Sequence, residues 1–378
     1  MELTNIHLVA GAGFLLAMVL GAVMNRTNFC TMGAVSDWVN MGLNGRFAAW
    51  VLAMGIAVAG AQVLELLGLI DLQSSIYRTA NFGWLGYVVG GLLFGIGMTL
   101  AGGCGQRSLV RLGSGNLKSL VVVLVLGITA YATLGGILGL VRVNYFNPVA
   151  IDLASHGVED QGLATLLGGL SGMAVGSGMR WLIAVLVALL LIGWALRQPA
   201  LRSSVDNLLG GIVTGLCVVG AWVITGVYGL DDFDPVRVES LTFIAPTGNT
   251  INYAMTFTGA TINFGIAVVL GMIAGSFLYA ILSRSFRIET FTDRTDMCNH
   301  LIGAALMGFG GVLALGCTIG QGVSGVSTLA AGSFVAMICI VIGCALTLKV
   351  QYHLMDEPGF FRALLRGIAD LLMPWRAD

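Results

Sequence analysis

Long apolar runs, interrupted by short polar stretches, dominate this chain. Nine of them approach the ~20 mostly apolar residues that a helix needs to cross a bilayer. They lie near 8–24, 47–70, 83–103, 119–141, 181–196, 208–228, 262–283, 301–316 and 334–350. Two further stretches, near 28–43 and 240–260, are too polar and too broken to span and read as re-entrant. The pattern predicts an all-α membrane protein with about nine transmembrane helices plus re-entrant half-helices.

The polar positions orient the spans. Short-loop Lys and Arg mark the cytoplasmic side, and here they cluster in alternate loops: Arg26 and Arg46; Arg107, Arg111 and Lys118; Arg197 and Arg202; Arg284, Arg287 and Arg294. The loops between, 142–180 and 229–239, carry Asp152, Glu159, Asp160, Asp231, Asp232 and Asp234. An N-terminus outside and a C-terminus inside satisfies all of them. Near the end, Phe360, Phe361, Leu364, Leu365, Ile368, Leu371 and Leu372 recur at helical spacing around Arg362 and Arg366, the pattern of an amphipathic helix on the membrane interface. The first apolar run lacks an early Lys or Arg and a small-residue cleavage site, so it reads as a retained helix.

Composition agrees and excludes several classes. Of 378 residues 57% are apolar and only 10% charged, against about a quarter charged in soluble domains. The 55 glycines against 6 prolines suit close helix packing and broken helices at membrane depth. A net charge of -1 gives no basic surface for nucleic acid. The seven cysteines form no CxxC pair and the four histidines are scattered, so no metal site and no cofactor is expected.

A repeat organises the spans. Gly95-Ile-Gly-Met-Thr-Leu-Ala-Gly-Gly-Cys104 aligns with Gly308-Phe-Gly-Gly-Val-Leu-Ala-Leu-Gly-Cys317. Gly105-Gln106 then answers Gly320-Gln321, and Asn28-Phe29 lies opposite Thr242-Phe243. Two halves of four spans each, joined by one further span, are inverted relative to each other. The expected division is 1–145 for the first repeat, 146–204 for a periplasmic loop and connecting span, 205–352 for the second repeat, and 353–378 for the tail helix.

Three segments carry thiols or polar groups where hydrocarbon is expected: Asn25-Arg-Thr-Asn-Phe-Cys30, Gly102-Gly-Cys-Gly-Gln-Arg107 and Gly316-Cys-Thr-Ile-Gly-Gln-Gly322. Backbone released from helix bonding at depth must be buried in protein or line a cavity. Broken helix ends present N–H groups and a positive dipole end, which suit an anion. A thiol is a weak donor with a soft sulfur, tolerant of apolar walls yet able to contact another sulfur. Cys30, Cys104 and Cys317 are therefore the central candidates, with Gly103, Gln106, Gly316, Gln321 and Asn28 along the same pathway. Arg26 and Arg107 either attract an anion or anchor helices; Gln106 and Gln321 either touch substrate or cap broken ends. Cys217, Cys339 and Cys344 read as packing residues, Cys298 as an incidental thiol in a charged loop, and Glu65 as an interface residue.

With those segments assembled, the sequence resembles the YeeE/YedE family of bacterial inner-membrane thiosulfate transporters over nearly its whole length. The resemblance rests on the blocks above together with Ser240-Leu-Thr-Phe-Ile-Ala-Pro246. It implies an hourglass-like shape with re-entrant loops at the waist, and uptake of thiosulfate from periplasm to cytoplasm along Cys30, Cys104 and Cys317. It also implies a separate cytoplasmic TusA-like sulfur-carrier protein as partner. Another sulfur or selenium species fits the same residues.

The residues leave three classes open. A transporter, not an enzyme, would use Cys317 near the outer mouth, Cys104 at the waist and Cys30 on the cytoplasmic side. A membrane thiol oxidoreductase or sulfurtransferase needs two thiols with Cα atoms roughly 4.4–6.8 Å apart. A passive channel would use the thiols as wall.

Overall fold

The computed structural model describes residues 5–171, 176–230, 236–356 and 359–372. In chain order its helices are α1 (Asn5–Thr27), α2 (Thr31–Met41), α3 (Gly45–Leu66), α4 (Trp84–Leu100), α5 (Gly105–Gly113), α6 (Leu117–Gly135), α7 (Ile137–Val141) and α8 (Leu163–Ser171). There follow α9 (Ser177–Arg197), α10 (Pro199–Arg202), α11 (Val205–Gly226), α12 (Ile244–Met255), α13 (Phe264–Leu282), α14 (Arg294–Leu313), α15 (Ala331–Asp356) and α16 (Phe360–Leu372). Two short strands, β1 (Asn81–Phe82) and β2 (Ile151–Asp152), pair antiparallel between loops. This is an all-α membrane protein.

Among the described residues eight helices are long and apolar enough to span. The expected span 301–316, not among these eight, is the apolar part of α14, which begins earlier because Asp293 caps it, accepting the Asp296 N–H at 2.6 Å. Cys298 consequently sits on a helical turn, exposed, and not in a loop. The expected span 119–141 is divided at Gly136, where α6 stops and α7 starts. Helices α2 and α12, of 11 and 12 residues, fill the two expected re-entrant stretches. At 1.5 Å per residue neither reaches across a ~30 Å core. Asp231, Asp232 and Asp234 lie outside the described residues.

The element order from α1 to α6 recurs from α11 to α15: a span, a short helix, a span, a span that breaks, a short segment, a span. The two breaks match bond for bond. After α4, Gly102 N–H donates to Thr99 O and Gly103 N–H to Met98 O at 2.8 Å. After α14, Leu315 N–H donates to Val312 O and Gly316 N–H to Gly311 O at 2.8 Å. Gly102 and Leu315 both take the left-handed conformation, with φ of 68° and 58°.

Counterpart helices also meet each other, and they run antiparallel. A Cβ on Gly90 would come within 2.7 Å of Gly310 O, and one on Gly97 within 2.6 Å of Gly303 O. The same direction of approach joins α1 to α11, where Thr27 meets Gly210 and Leu16 meets Gly220. Helix α1 packs on α13 as α11 packs on α3, and α15 packs on α4 as α14 packs on α6. Glycine at these crossings removes the side chain that would hold the backbones apart.

Candidate functional site

Each expected pathway cysteine stands at the start of a segment that follows a break. Cys30 caps α2 and Cys104 caps α5, both with extended backbone; Cys317 lies just ahead of a π-type turn over Gly320–Gly325. All three are buried. The fold brings the first two together: the Cys30 and Cys104 thiols lie close enough to act on each other, and Thr318 lies near the Cys104 sulfur. Thr318 follows Cys317 directly in the chain, which brings Cys317 within one residue of the Cys104 and Cys30 pair.

Backbone donors surround these sulfurs. The Gly320 N–H donates to Cys317 Sγ at 3.3 Å, with the Phe243 N–H also directed at that sulfur. At Cys30 and Cys104 no capping bond forms, yet the N–H groups of Gly33 and Arg107 act on them electrostatically. Two helix N-termini, those of α2 and α5, thus converge on one thiol pair, and a helix N-terminus favours negative charge. The Arg107 guanidinium acts on both thiols as well.

The remaining expected residues divide. Asn28, itself left-handed with φ 52°, accepts from Arg107 Nη2 at 2.7 Å and so steers that guanidinium. Gln106 donates to the sulfur of Met24, and its Oε1 faces Cys104 Sγ at 3.7 Å. Gln321 donates to Ala314 O, capping the broken end of α14, while its buried Oε1 has no hydrogen-bond partner among the described residues. Counted from the two cysteines the glutamines are not equivalent. The backbone bond from Ser108 to Cys104 O is matched by the bond from Gln321 to Cys317 O, which puts Ser108 opposite Gln321. Gly103 and Gly316 close the two turns. Arg26 pairs with Asp206 at 3.5 Å, with 53% and 54% of the side chains exposed, which makes it a surface anchor.

Several residues carried no expectation. Thr318 and Thr31 are buried with hydroxyls that have no hydrogen-bond partner among the described residues. Thr318 had a signal in its position directly after Cys317. Tyr77 had none; it is buried against Trp222 and close enough to feel both Cys317 and Glu239. Glu65 is no simple interface residue: buried Arg78 joins it at 2.5 Å and Asp160 at 2.7 Å. Asp160, in the acidic loop 142–180, is buried by this pairing.

On either side of the thiols lies a cavity. One of about 600 Å³ is lined by Arg26, Asn28, Arg107, Arg111, Arg287 and His300, among others. The other, about 810 Å³, includes Glu65, Asp71, Arg180 and Arg237 in its wall. Spanning helices that break around buried thiols, between two cavities with charged residues in their walls, are the equipment of a membrane transporter. The sequence signature of the sulphur transport family matches residues 26–346, and the chain belongs to that family. It is 27% identical over 354 residues to the thiosulfate transporter TsuA of Escherichia coli (strain K12), covering 88% of this chain and 92% of that one. It is 26% identical over 343 residues to the thiosulfate transporter TsuA of Spirochaeta thermophila, covering 88% and 96%.

Proposed function

We propose that this protein carries thiosulfate across the bacterial inner membrane, from periplasm to cytoplasm, by handing it along Cys317, Cys104 and Cys30 through weak thiol hydrogen bonds. The N-terminus is periplasmic and the C-terminus cytoplasmic, with inverted halves at 1–145 and 205–352. A TusA-like carrier protein receives the sulfur inside. The observation that carries this reading is the meeting of the Cys30 and Cys104 thiols at two helix N-termini, with Thr318 linking them to Cys317. A bare dianion in hydrocarbon costs tens of kcal/mol by Born estimates, so the path must supply donors throughout. Thiols and backbone N–H groups supply them without the tight charge pairing that would hold the ion.

Uptake of radiolabelled thiosulfate into proteoliposomes tests it. Cys104→Ala, at equal folded yield, is expected to abolish uptake; normal uptake by that variant ends the relay. The thiol contact also favours a second reading, a membrane thiol oxidoreductase or sulfurtransferase. Mass spectrometry after turnover separates the two, because only the second leaves a Cys30–Cys104 disulfide or a persulfide.

A further inference from the structure

The 600 Å³ cavity holds more positive charge than its neighbours neutralise. Lys118 is met by Asp296 at 2.7 Å and Arg26 by Asp206 at 3.5 Å. Among the described residues Arg107, Arg111 and Arg287 have no carboxylate partner, and the one acid in the wall, Glu289, accepts from Asn116 at 2.6 Å. Two of these arginines are fixed by neutral groups: Arg107 by Asn28 Oδ1 at 2.7 Å, Arg111 by Gly102 O at 2.9 Å. Both are half-buried, and His300 Nε2 approaches the same Gly102 turn. Guanidinium groups held side by side in a recess repel each other unless an anion joins them. Their planar donor pairs match the oxygens of a tetrahedral oxyanion.

We propose that this cavity is a binding site for a tetrahedral dianion, separate from the thiol path and recognising charge and oxygen, not sulfur. It deepens the transport reading and rests on it for the assignment of the cavity to the cytoplasmic mouth. The recognition itself stands on the arginines alone. Cys30 and Cys104 lie behind Arg107, so an anion leaving them meets these guanidinium groups next. Sulfate and phosphate share the geometry and charge of thiosulfate's oxygen end and enter the site from the inner solution.

The test is equilibrium binding of radiolabelled sulfate to the full chain in nanodiscs, which exposes both faces and needs no transport. Sulfate is expected to bind, to be displaced by phosphate and thiosulfate at similar concentrations, and to ignore equimolar chloride. Displacement by thiosulfate alone, with phosphate inert, shows that sulfur is what the site recognises and overturns the proposal. Arg111→Gln and Arg287→Gln should each weaken binding roughly tenfold, with Arg111→Lys between wild type and Arg111→Gln, since the charge stays and the fork is lost. The triple variant Cys30→Ser, Cys104→Ser, Cys317→Ser should bind sulfate within about twofold of wild type. Sulfate binding that follows the cysteines and is indifferent to the arginines, or no saturable binding at all, overturns the proposal. If the triple variant still transports thiosulfate normally while the arginine variants lose sulfate, the relay has failed and this site has survived.

Discussion

At Thr318 a hydroxyl is buried near the Cys104 sulfur with no hydrogen-bond partner among the described residues. Leaving such a group unpaired costs about 1–3 kcal/mol, a cost that a passing anion removes by accepting from it. Thr318→Val keeps the shape and deletes the donor. Its expected effect on thiosulfate uptake is a roughly tenfold to hundredfold fall in efficiency, the scale of one bond to a charged group at about 1.5–3 kcal/mol. Thr318→Ser should restore most of it, and kinetics in proteoliposomes read both. Glu239 sets a second expectation at this scale. Burial lifts its carboxyl to about 7, against partial relief from Arg237. Because the folded value lies above the ordinary one, the proton it binds stabilises the fold fully below about 4.5, and that contribution is lost as pH rises through about 7. Above that point a carboxylate stands within reach of Tyr77 on the Cys317 side. Uptake should therefore decline between pH 6 and pH 8, and Glu239→Gln should flatten the profile. Thiol positions and their glycine breaks were legible at this scale because few residue types tolerate broken backbone at depth. Thr318 was hidden by its ordinary identity, and Tyr77 by its distance along the chain.

At the scale of elements, legibility followed the backbone. Gly102 announces a left-handed turn, but its counterpart Leu315 adopts the same conformation with a side chain that disfavours it. Only the repeat register identifies that turn. The ends of α14 and α6 depart from their apolar runs for a local reason: a capping aspartate extends one helix into polar sequence, and Gly136 ends the other inside apolar sequence. Helix crossings are where glycine content becomes geometry. Gly97 and Gly303 each place a would-be Cβ 2.6 Å from the other's carbonyl oxygen, so no side chain fits without parting α4 from α14. Gly303→Leu is expected to lower the melting temperature in detergent sharply or to abolish folded yield, an overpacking cost of about 3 kcal/mol or more. Gly193→Leu, on α9 with open space around it, should change little; equal behaviour of the two variants would remove the crossing from the account of this fold.

Over the whole molecule, the two halves are alike in backbone and unlike in chemistry. Cys30 is the residue before α2, and Phe243 is the residue before α12, the matching short helix of the second half. The register drawn from the sequence set Phe29 opposite Phe243; the helix starts move that correspondence by one residue and put a thiol opposite a phenyl ring. Each of these cap residues faces the cysteine of its own half: the Cys30 thiol lies near Cys104, and the Phe243 N–H points at Cys317. At these two positions the first half therefore holds two thiols and the second half one. If the halves are copies of one arrangement, Phe243→Cys places a second thiol beside Cys317, with Cα atoms within the roughly 4.4–6.8 Å that a disulfide requires. Mild oxidation of the purified wild type should consume one pair of thiols, Cys30 with Cys104. The Phe243→Cys variant should consume a second, seen by mass spectrometry as a cross-linked peptide joining the substituted position to Cys317. Recovery of the first cross-link without the second would mean that the two half-sites are not related by the same geometry, and the inverted arrangement would then describe helices but not the passage they enclose.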